Sequence, residues 1–164
     1  MDSDERILFS QQSPFNRIMV TEDGHGWRTL RFGDDQGAYQ SVVNPDDPTC
    51  LELEYTRAMP LCLAFMPHPR WMLTLGLGGG TVPRFFHHYF PSTHIDVVEI
   101  DPLVLEVARD YCGFVQDDRL RVHLEDGRDF VEKSDRRYDM VILDTFDAEA
   151  IPEHLQTFEF LSAV

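Results

Sequence analysis

The sequence predicts an α/β fold in which helices cover a parallel β-sheet. The first observation is an apolar run at 71–76 that leads into four glycines within residues 76–80 and then into a helical pattern at 81–90. The second observation is a regular alternation of patterns after this unit, with strands at 94–99, 120–124 and 138–143 and helices at 103–112, after 127 and from 157. Strands that alternate with helices form parallel sheets with right-handed crossovers, and ligands bind at the carboxyl ends of their strands.

The turn between the first strand and the first helix carries Gly76, Gly78 and Gly80 in the spacing G-x-G-x-G. Glycines are needed at such a turn because Cβ atoms would hold the backbone away from a ligand. Thr81 stands where the dinucleotide fingerprint has its last glycine, and no lysine follows as in a phosphate-binding loop. The spacing therefore favours a phosphate-free nucleoside of the S-adenosylmethionine type, and the alternative is a tight turn that binds nothing.

Acidic residues follow the next three predicted strands. Glu99 ends the second strand, 19 residues beyond Gly80, where a carboxylate can accept hydrogen bonds from a ribose diol. Asp126 follows the third strand and is placed to accept from an adenine amino group. Asp144 follows the fourth strand, and with Asp147 it could bind a cationic amine and remove its proton. The alternatives are a surface acid for Glu99, a helix cap for Asp126 and a loop acid for Asp147.

Composition limits the ligands and the compartment. The chain has 164 residues and a formal net charge of −15, so it lacks the basic footprint of a nucleic-acid binder and suits cationic ligands such as polyamines. The cysteines Cys50, Cys62 and Cys112 have no metal-ligand spacing, which predicts reduced thiols, no metal site and a cytoplasmic location. The start lacks a signal peptide, and no apolar run is long enough for a membrane span.

The chain is predicted to have two parts. Residues 1–50 contain three short strand patterns and form a small β-hairpin segment, and residues 51–164 form the nucleotide-binding α/β domain. A helix is predicted from 51 to about 65. A parallel sheet that stops after its fourth strand leaves an open edge, so we expect the α/β domain to be truncated and the chain to form a homodimer or larger homo-oligomer.

Four segments together resemble the spermidine synthase (polyamine aminopropyltransferase) family, in its divergent spermidine synthase-like branch. These segments are residues 75–84, 98–101, 126–130 and 138–147, and the β-rich start is similar to the N-terminal hairpin domain of that family. The resemblance implies a methyltransferase-like Rossmann fold that binds decarboxylated S-adenosylmethionine. It implies these roles by position: ribose contact for Glu99, adenine contact for Asp126 and Gly127, general base for Asp144 and amine contact for Asp147.

The sequence also departs from that family. Gly79 occupies the position of the acid that holds the aminopropyl amine of the donor, and residues 151–155 replace the usual continuation after the fourth strand. Of the residues expected to contact the substrate, Tyr55 is retained from a Tyr-Gln or Tyr-His pair, and Asn16 stands in place of a glutamine. Three functions therefore remain open: aminopropyl transfer to a polyamine, S-adenosylmethionine-dependent methylation of a small molecule, and a non-catalytic binding module.

Overall fold

The computed structural model describes residues 5–33, 39–146 and 151–164. The first part contains four strands, β1 (Arg6–Gln12), β2 (Arg17–Glu22), β3 (Arg28–Phe32) and β4 (Tyr39–Val43). The second part contains α1 (Glu54–Ala58), a 3₁₀ helix (Met59–Ala64), β5 (Trp71–Leu75), α2 (Thr81–Tyr89), β6 (His94–Glu99), α3 (Pro102–Cys112), β7 (Leu120–Leu124), α4 (Gly127–Lys133), β8 (Met140–Leu143), a second 3₁₀ helix (Glu153–Leu155) and α5 (Phe158–Ala163). No helix in these ranges has the length and apolar composition of a membrane span.

The first sheet is an antiparallel meander in the order β1-β2-β3-β4. The sequence predicted its last three strands, but the prediction of three strands in all was wrong because it omitted β1. The β1 sequence RILFSQQ places three apolar residues in a row and has no fully buried residue, so it lacks the alternation that marks a half-buried strand. Pairing with β2 from Arg6 to Gln12 stabilises it instead.

The second sheet is parallel, in the order β7-β6-β5-β8, which confirms the predicted α/β fold. The chain runs outward from β5 through β6 to β7 and then returns to pair β8 with the other side of β5. The strand order therefore reverses between β5 and β8, and parallel sheets of this type bind ligands at such a switch point. Among the described residues, the outer edge of β8 pairs with no further strand.

Two apolar clusters cover the two faces of the parallel sheet. The larger lies on the face covered by α2 and α3 and also includes Ile18, Val20 and Leu30 of the first sheet. The smaller lies on the face covered by α4 and α5 and includes Leu155 and Phe160. The first sheet therefore packs on the same core that supports α3, which brings its loops close to the carboxyl ends of the parallel strands.

The helix predicted from 51 to about 65 is not continuous. The α-helix ends at Ala58, and a 3₁₀ helix that begins with Met59 and Pro60 replaces the rest. Proline has no backbone N–H, and its ring clashes with the carbonyl four residues earlier, so an α-helix cannot continue through Pro60 without a kink.

A buried carboxylate crosslinks the parallel sheet on the face of α4. The Asp96 side chain on β6 lies 2.8 Å from Nε2 of His123 on β7 and accepts a hydrogen bond of 2.9 Å from the Tyr138 hydroxyl. Arg136 Nε lies 3.5 Å from the same carboxylate. Asp96 therefore joins β6 to β7 and to the segment that precedes β8.

Replacing Asp96 by alanine should lower the free energy of unfolding by about 1–2 kcal/mol, because it removes the hydrogen-bond partner of the partly buried His123 and Tyr138 side chains. Urea denaturation measures the change. Asp118→Ala, at an exposed acid near the same strands, is the control and should change stability by less than about 0.5 kcal/mol. Equal stabilities of the two variants would show that the Asp96 network contributes nothing.

Candidate functional site

A cavity of about 400 Å³ opens at the carboxyl ends of the parallel strands, at the switch point between β5 and β8. Both parts of the chain contribute to its wall. Of the residues predicted to bind a ligand, these line it: Asn16, Tyr55, Gly76, Gly78, Glu99, Asp126, Gly127 and Asp144. Asp147 lies outside the described residues, and the binding roles of all these residues stay predictions.

Gly76 is required by a close backbone approach. Its φ is +97°, and a Cβ on this residue would lie 2.2 Å from the backbone oxygen of Asp144. The backbone N–H of Asp144 in turn donates to the Leu75 carbonyl at 2.8 Å, which continues the pairing of β5 with β8. The absence of a side chain at 76 therefore allows Asp144 to reach the cavity beside the glycine turn.

Gly80 does not line the cavity, so its predicted place there needs correction. Its φ is +74°, and a Cβ on Gly80 would lie 2.3 Å from the Phe114 ring. Phe114 is buried just beyond α3. The third glycine of the spacing thus permits α2 to begin against a packed aromatic ring.

Ser41 of β4 contacts the glycine turn directly, and the sequence analysis did not identify it. Its Oγ accepts a hydrogen bond of 2.8 Å from the Gly79 backbone N–H, and it also lines the cavity. A Cβ on Gly79 would lie 2.8 Å from the Ser41 Cβ and 3.3 Å from the Cys112 Sγ. The space for a side chain at position 79 is therefore filled by the first sheet, and no local pattern around Ser41 indicates this contact.

Glu99 is a buried carboxylate whose two oxygens are both held by backbone amides. Oε2 accepts from the Leu77 N–H at 3.0 Å, and Oε1 accepts from the Asp101 N–H at 2.9 Å. Burial raises the pKa of Glu99 against the lowering effect of these hydrogen bonds. Each oxygen retains acceptor capacity, because a carboxylate has about four lone-pair sites.

Asp126 caps α4 and also contacts a histidine. Its Oδ1 accepts from the backbone N–H groups of Arg128 and Asp129, at 2.9 and 3.1 Å, and its Oδ2 lies 3.0 Å from Nε2 of His154. Partial burial acts to raise the pKa of Asp126, but the hydrogen bonds from Asp129, His154 and Arg128 lower it below its usual value. Asp126 therefore both caps α4 and lines the cavity. His154 was not identified from the sequence.

Asp144 also lines the cavity, near Tyr55. Burial raises the pKa of Asp144 from 3.8 to about 7. Burial and the charge of Asp144 raise the pKa of Tyr55, and its hydroxyl donates to the Gln40 carbonyl at 3.1 Å. A carboxyl group that titrates near neutral pH is suited to accept a proton from a substrate.

The charged side chains of the cavity wall are acidic. Glu99, Asp101, Glu125, Asp126 and Asp144 all line it, and no Lys or Arg does so. The structure does not describe residues 34–38 and 147–150, and the sequence of these two segments contains no Lys or Arg. Among the described residues, no group of three or more His, Cys, Asp or Glu side chains is arranged to hold a metal ion. Acidic side chains of this kind attract positive charge.

Comparison with known proteins assigns the chain to a family. Residues 52–164 match the family model of the spermine/spermidine synthase domain. The chain belongs to the spermine/spermidine synthase family. This family membership confirms the resemblance found in the sequence.

Two relatives of this spermine/spermidine synthase family member are transferases of different kinds. A polyamine aminopropyltransferase of Vibrio vulnificus is 36% identical over 160 residues, which are 94% of this chain and 53% of that protein. An eEF1A lysine and N-terminal methyltransferase of Mus musculus is 39% identical over 109 residues, which are 60% of this chain and 16% of that protein. The chain thus spans about half the length of the first relative.

Solved structures show the same fold. A spermidine synthase in complex with the transition state analogue AdoDATO superposes with a TM-score of 0.72 at 29% identity, covering 96% of this chain and 53% of that one. A probable spermidine synthase from Corynebacterium glutamicum superposes with a TM-score of 0.83 at 22% identity, covering 96% of this chain and 59% of that one. The fold of spermidine synthases is therefore shown for both parts of the chain.

The raised pKa of Asp144 should appear in the pH dependence of stability. Between about pH 4 and about pH 7 the folded chain keeps a proton that the unfolded chain has lost, so the Asp144 contribution to the free energy of unfolding decreases as pH rises. Urea denaturation across this range should show that decrease in the parent and not in Asp144→Asn.

Asp139 provides a control of opposite sign for that experiment. Backbone hydrogen bonds from Trp71 and Arg70 lower its pKa, so its contribution is present above the unfolded value of 3.8 and is lost as pH falls. Asp139→Asn should therefore lower the free energy of unfolding most at neutral pH. Identical pH profiles for the parent and Asp144→Asn would contradict the assignment of a raised pKa to Asp144.

Proposed function

We propose that the chain forms the donor-binding part of a transferase that moves an aminopropyl group from decarboxylated S-adenosylmethionine to a polyamine acceptor. The observation that carries the proposal is the cavity whose wall contains five acidic side chains, with no Lys or Arg among the described residues that line it. Family membership and the aminopropyltransferase of Vibrio vulnificus, which aligns with both parts of the chain, support it.

The charges of the two possible donors differ in a way that favours the decarboxylated one. Decarboxylated S-adenosylmethionine carries a sulfonium and an ammonium group and no negative charge. S-adenosylmethionine carries a carboxylate as well, which would enter a wall of acids that offers it no cationic side chain. Like charges that meet in a partly desolvated site cost binding free energy, so the acidic wall selects against that carboxylate.

The residues of the cavity divide into two ends in the proposed complex. Glu99 accepts hydrogen bonds from the ribose hydroxyls, and Asp126 with Gly127 contacts the base. Asp144, Tyr55 and Asn16 lie toward the acceptor, and Asp147 is proposed to bind the distal amine of the acceptor. The Asp144 carboxylate takes a proton from the attacking nitrogen, whose lone pair is blocked while the amine is protonated.

The proposed transfer is a single displacement. The neutral amine nitrogen forms a bond to the propyl carbon next to the sulfonium sulfur, and the carbon–sulfur bond breaks with its electron pair on sulfur. Asp144 has already taken one proton from the ammonium group of the acceptor, so the product nitrogen becomes a secondary ammonium ion and the donor leaves as a neutral thioether nucleoside. No further reactant is needed for this balance.

Methyl transfer from S-adenosylmethionine is the second candidate, and one contact favours it. The Ser41–Gly79 contact fills the space where an acid could hold an aminopropyl amine. The eEF1A methyltransferase of Mus musculus, a relative at 39% identity, also supports methyl transfer.

We also propose a homo-oligomer in the cytoplasm. The first sheet ends in strand β1, and the parallel sheet ends in β8, so each sheet has an edge strand with pairing capacity. All three cysteines are free, as in a reducing compartment.

The donor preference can be measured by titration calorimetry. Decarboxylated S-adenosylmethionine should bind about tenfold or more tightly than S-adenosylmethionine, and the ratio should shrink as salt screens the charges. Asp144→Asn should reduce the ratio of the two donor affinities, because it removes one acid from the cavity wall. Glu106→Gln changes an exposed acid on α3 and should leave this ratio unchanged. Tighter binding of S-adenosylmethionine would favour methyl transfer, and binding of neither would favour a non-catalytic module.

The role of Asp144 in the reaction is a separate prediction. Asp144→Asn should reduce turnover about 10²- to 10⁴-fold, the usual value of general-base help, because asparagine cannot accept the proton. Affinity for the neutral product 5′-methylthioadenosine should stay nearly unchanged. Steady-state kinetics with a diamine and calorimetry with the product measure the two effects. Full turnover by Asp144→Asn would refute the base assignment.

A further inference from the structure

His154 lines the cavity beside Asp126, on the 3₁₀ helix that follows β8. Its Nε2 is 3.0 Å from Asp126 Oδ2, its ring lines the cavity, and its side chain is 45% exposed. Its partner is the acid proposed to contact the base.

The acceptor capacity of Asp126 is nearly used. Two backbone N–H groups, of Arg128 and Asp129, donate to Oδ1, and His154 occupies one acceptor position on Oδ2. A carboxylate has about four lone-pair sites, so one remains, on the oxygen that His154 contacts. A ligand that meets this oxygen must bring a hydrogen-bond donor.

His154 is fixed in place by its own backbone as well as by its ring. Arg128 Nη1 donates to the His154 carbonyl at 3.1 Å and to the Thr157 Oγ1 at 3.2 Å. The adjacent Leu155 is buried, and a Cβ on Gly127 would lie 3.8 Å from its Cδ2. The first residues of α4 thus contact the His154 carbonyl and the neighbouring Leu155. These contacts fix the His154 ring relative to the Asp126 carboxylate.

We propose that His154 is a positioning residue that sets nucleobase specificity through Asp126, an inference that rests on the proposed nucleoside ligand. The Nε2–H group donates to Oδ2 and leaves one acceptor position for the exocyclic amino group of a 6-aminopurine. A 6-oxopurine brings an acceptor to the same position, and two acceptors that face each other repel. The ionised state of Asp126 that this requires agrees with the contribution of His154 to its lowered pKa.

Calorimetry with a matched pair of neutral nucleosides tests the proposal. The probes are 5′-methylthioadenosine and 5′-methylthioinosine, which differ at the 6-position of the purine. The parent should bind the amino compound about tenfold or more tightly, on the scale of a hydrogen bond to a charged group. His154→Ala should weaken binding of the amino compound and bring the ratio close to one.

Two further variants separate positioning from a structural effect. His154→Gln places an amide N–H near the position of Nε2 and should restore most of the ratio. Glu153→Ala, at the exposed neighbour on the same turn, should leave both affinities unchanged. In an Asp126→Asn background, His154→Ala should have no further effect on the ratio, because the two residues act as one unit.

The outcomes distinguish this inference from the function it rests on. A parent that binds neither nucleoside overturns the proposed function and this inference with it. A parent that prefers the amino compound while His154→Ala keeps the full ratio overturns this inference alone. Equal losses of affinity for both nucleosides in His154→Ala also overturn the role of His154 in specificity. Such losses would indicate a loosened segment that weakens binding without changing selectivity.

Discussion

The carboxylate of Glu99 connects most of the site. It accepts from the amide of Leu77 in the glycine turn and from the amide of Asp101 beyond β6, so it fixes the ends of two parallel strands relative to each other. Asp101 then caps α3 through the Leu103 N–H and accepts from the hydroxyl of Ser13 in the first part of the chain. One series of buried acids thus joins the turn, the helix and the first sheet.

The first sheet belongs to the site as a wall. Ser41 accepts from the glycine turn, and Arg28 donates to the Tyr111 carbonyl at the end of α3 at 2.6 Å. Apolar packing of Ile18 and Val20 against the cluster around α3 supports these polar contacts. The cavity would lack one side without this part of the chain, because Asn16 in the β1–β2 turn and Ser41 on β4 both line it.

The parts of the site that the sequence predicted are those fixed by local rules. Glu99 and Asp144 end strands, and the carboxyl ends of parallel strands meet at one edge, so a strand pattern was sufficient to place both in the wall. Gly80 was misplaced because the spacing shows that a glycine is needed without showing whether a ligand or Phe114 requires the space. Ser41 and His154 were missed because their contacts, with Gly79 and Asp126, join segments 38 and 28 residues apart. No periodicity within either segment encodes such a pairing.

The acidic wall has a consequence for the end of the catalytic cycle. In the proposed reaction the sulfonium becomes a thioether, so the nucleoside that occupies the cavity after transfer has lost the positive charge that the donor had at sulfur. The acidic side chains of the wall then lose their attraction to the sulfonium charge and keep only the proposed hydrogen bonds to the ribose and the base. On the proposed function, the chemical step itself therefore weakens binding of the spent nucleoside, and a cationic donor competes favourably with it for the same cavity.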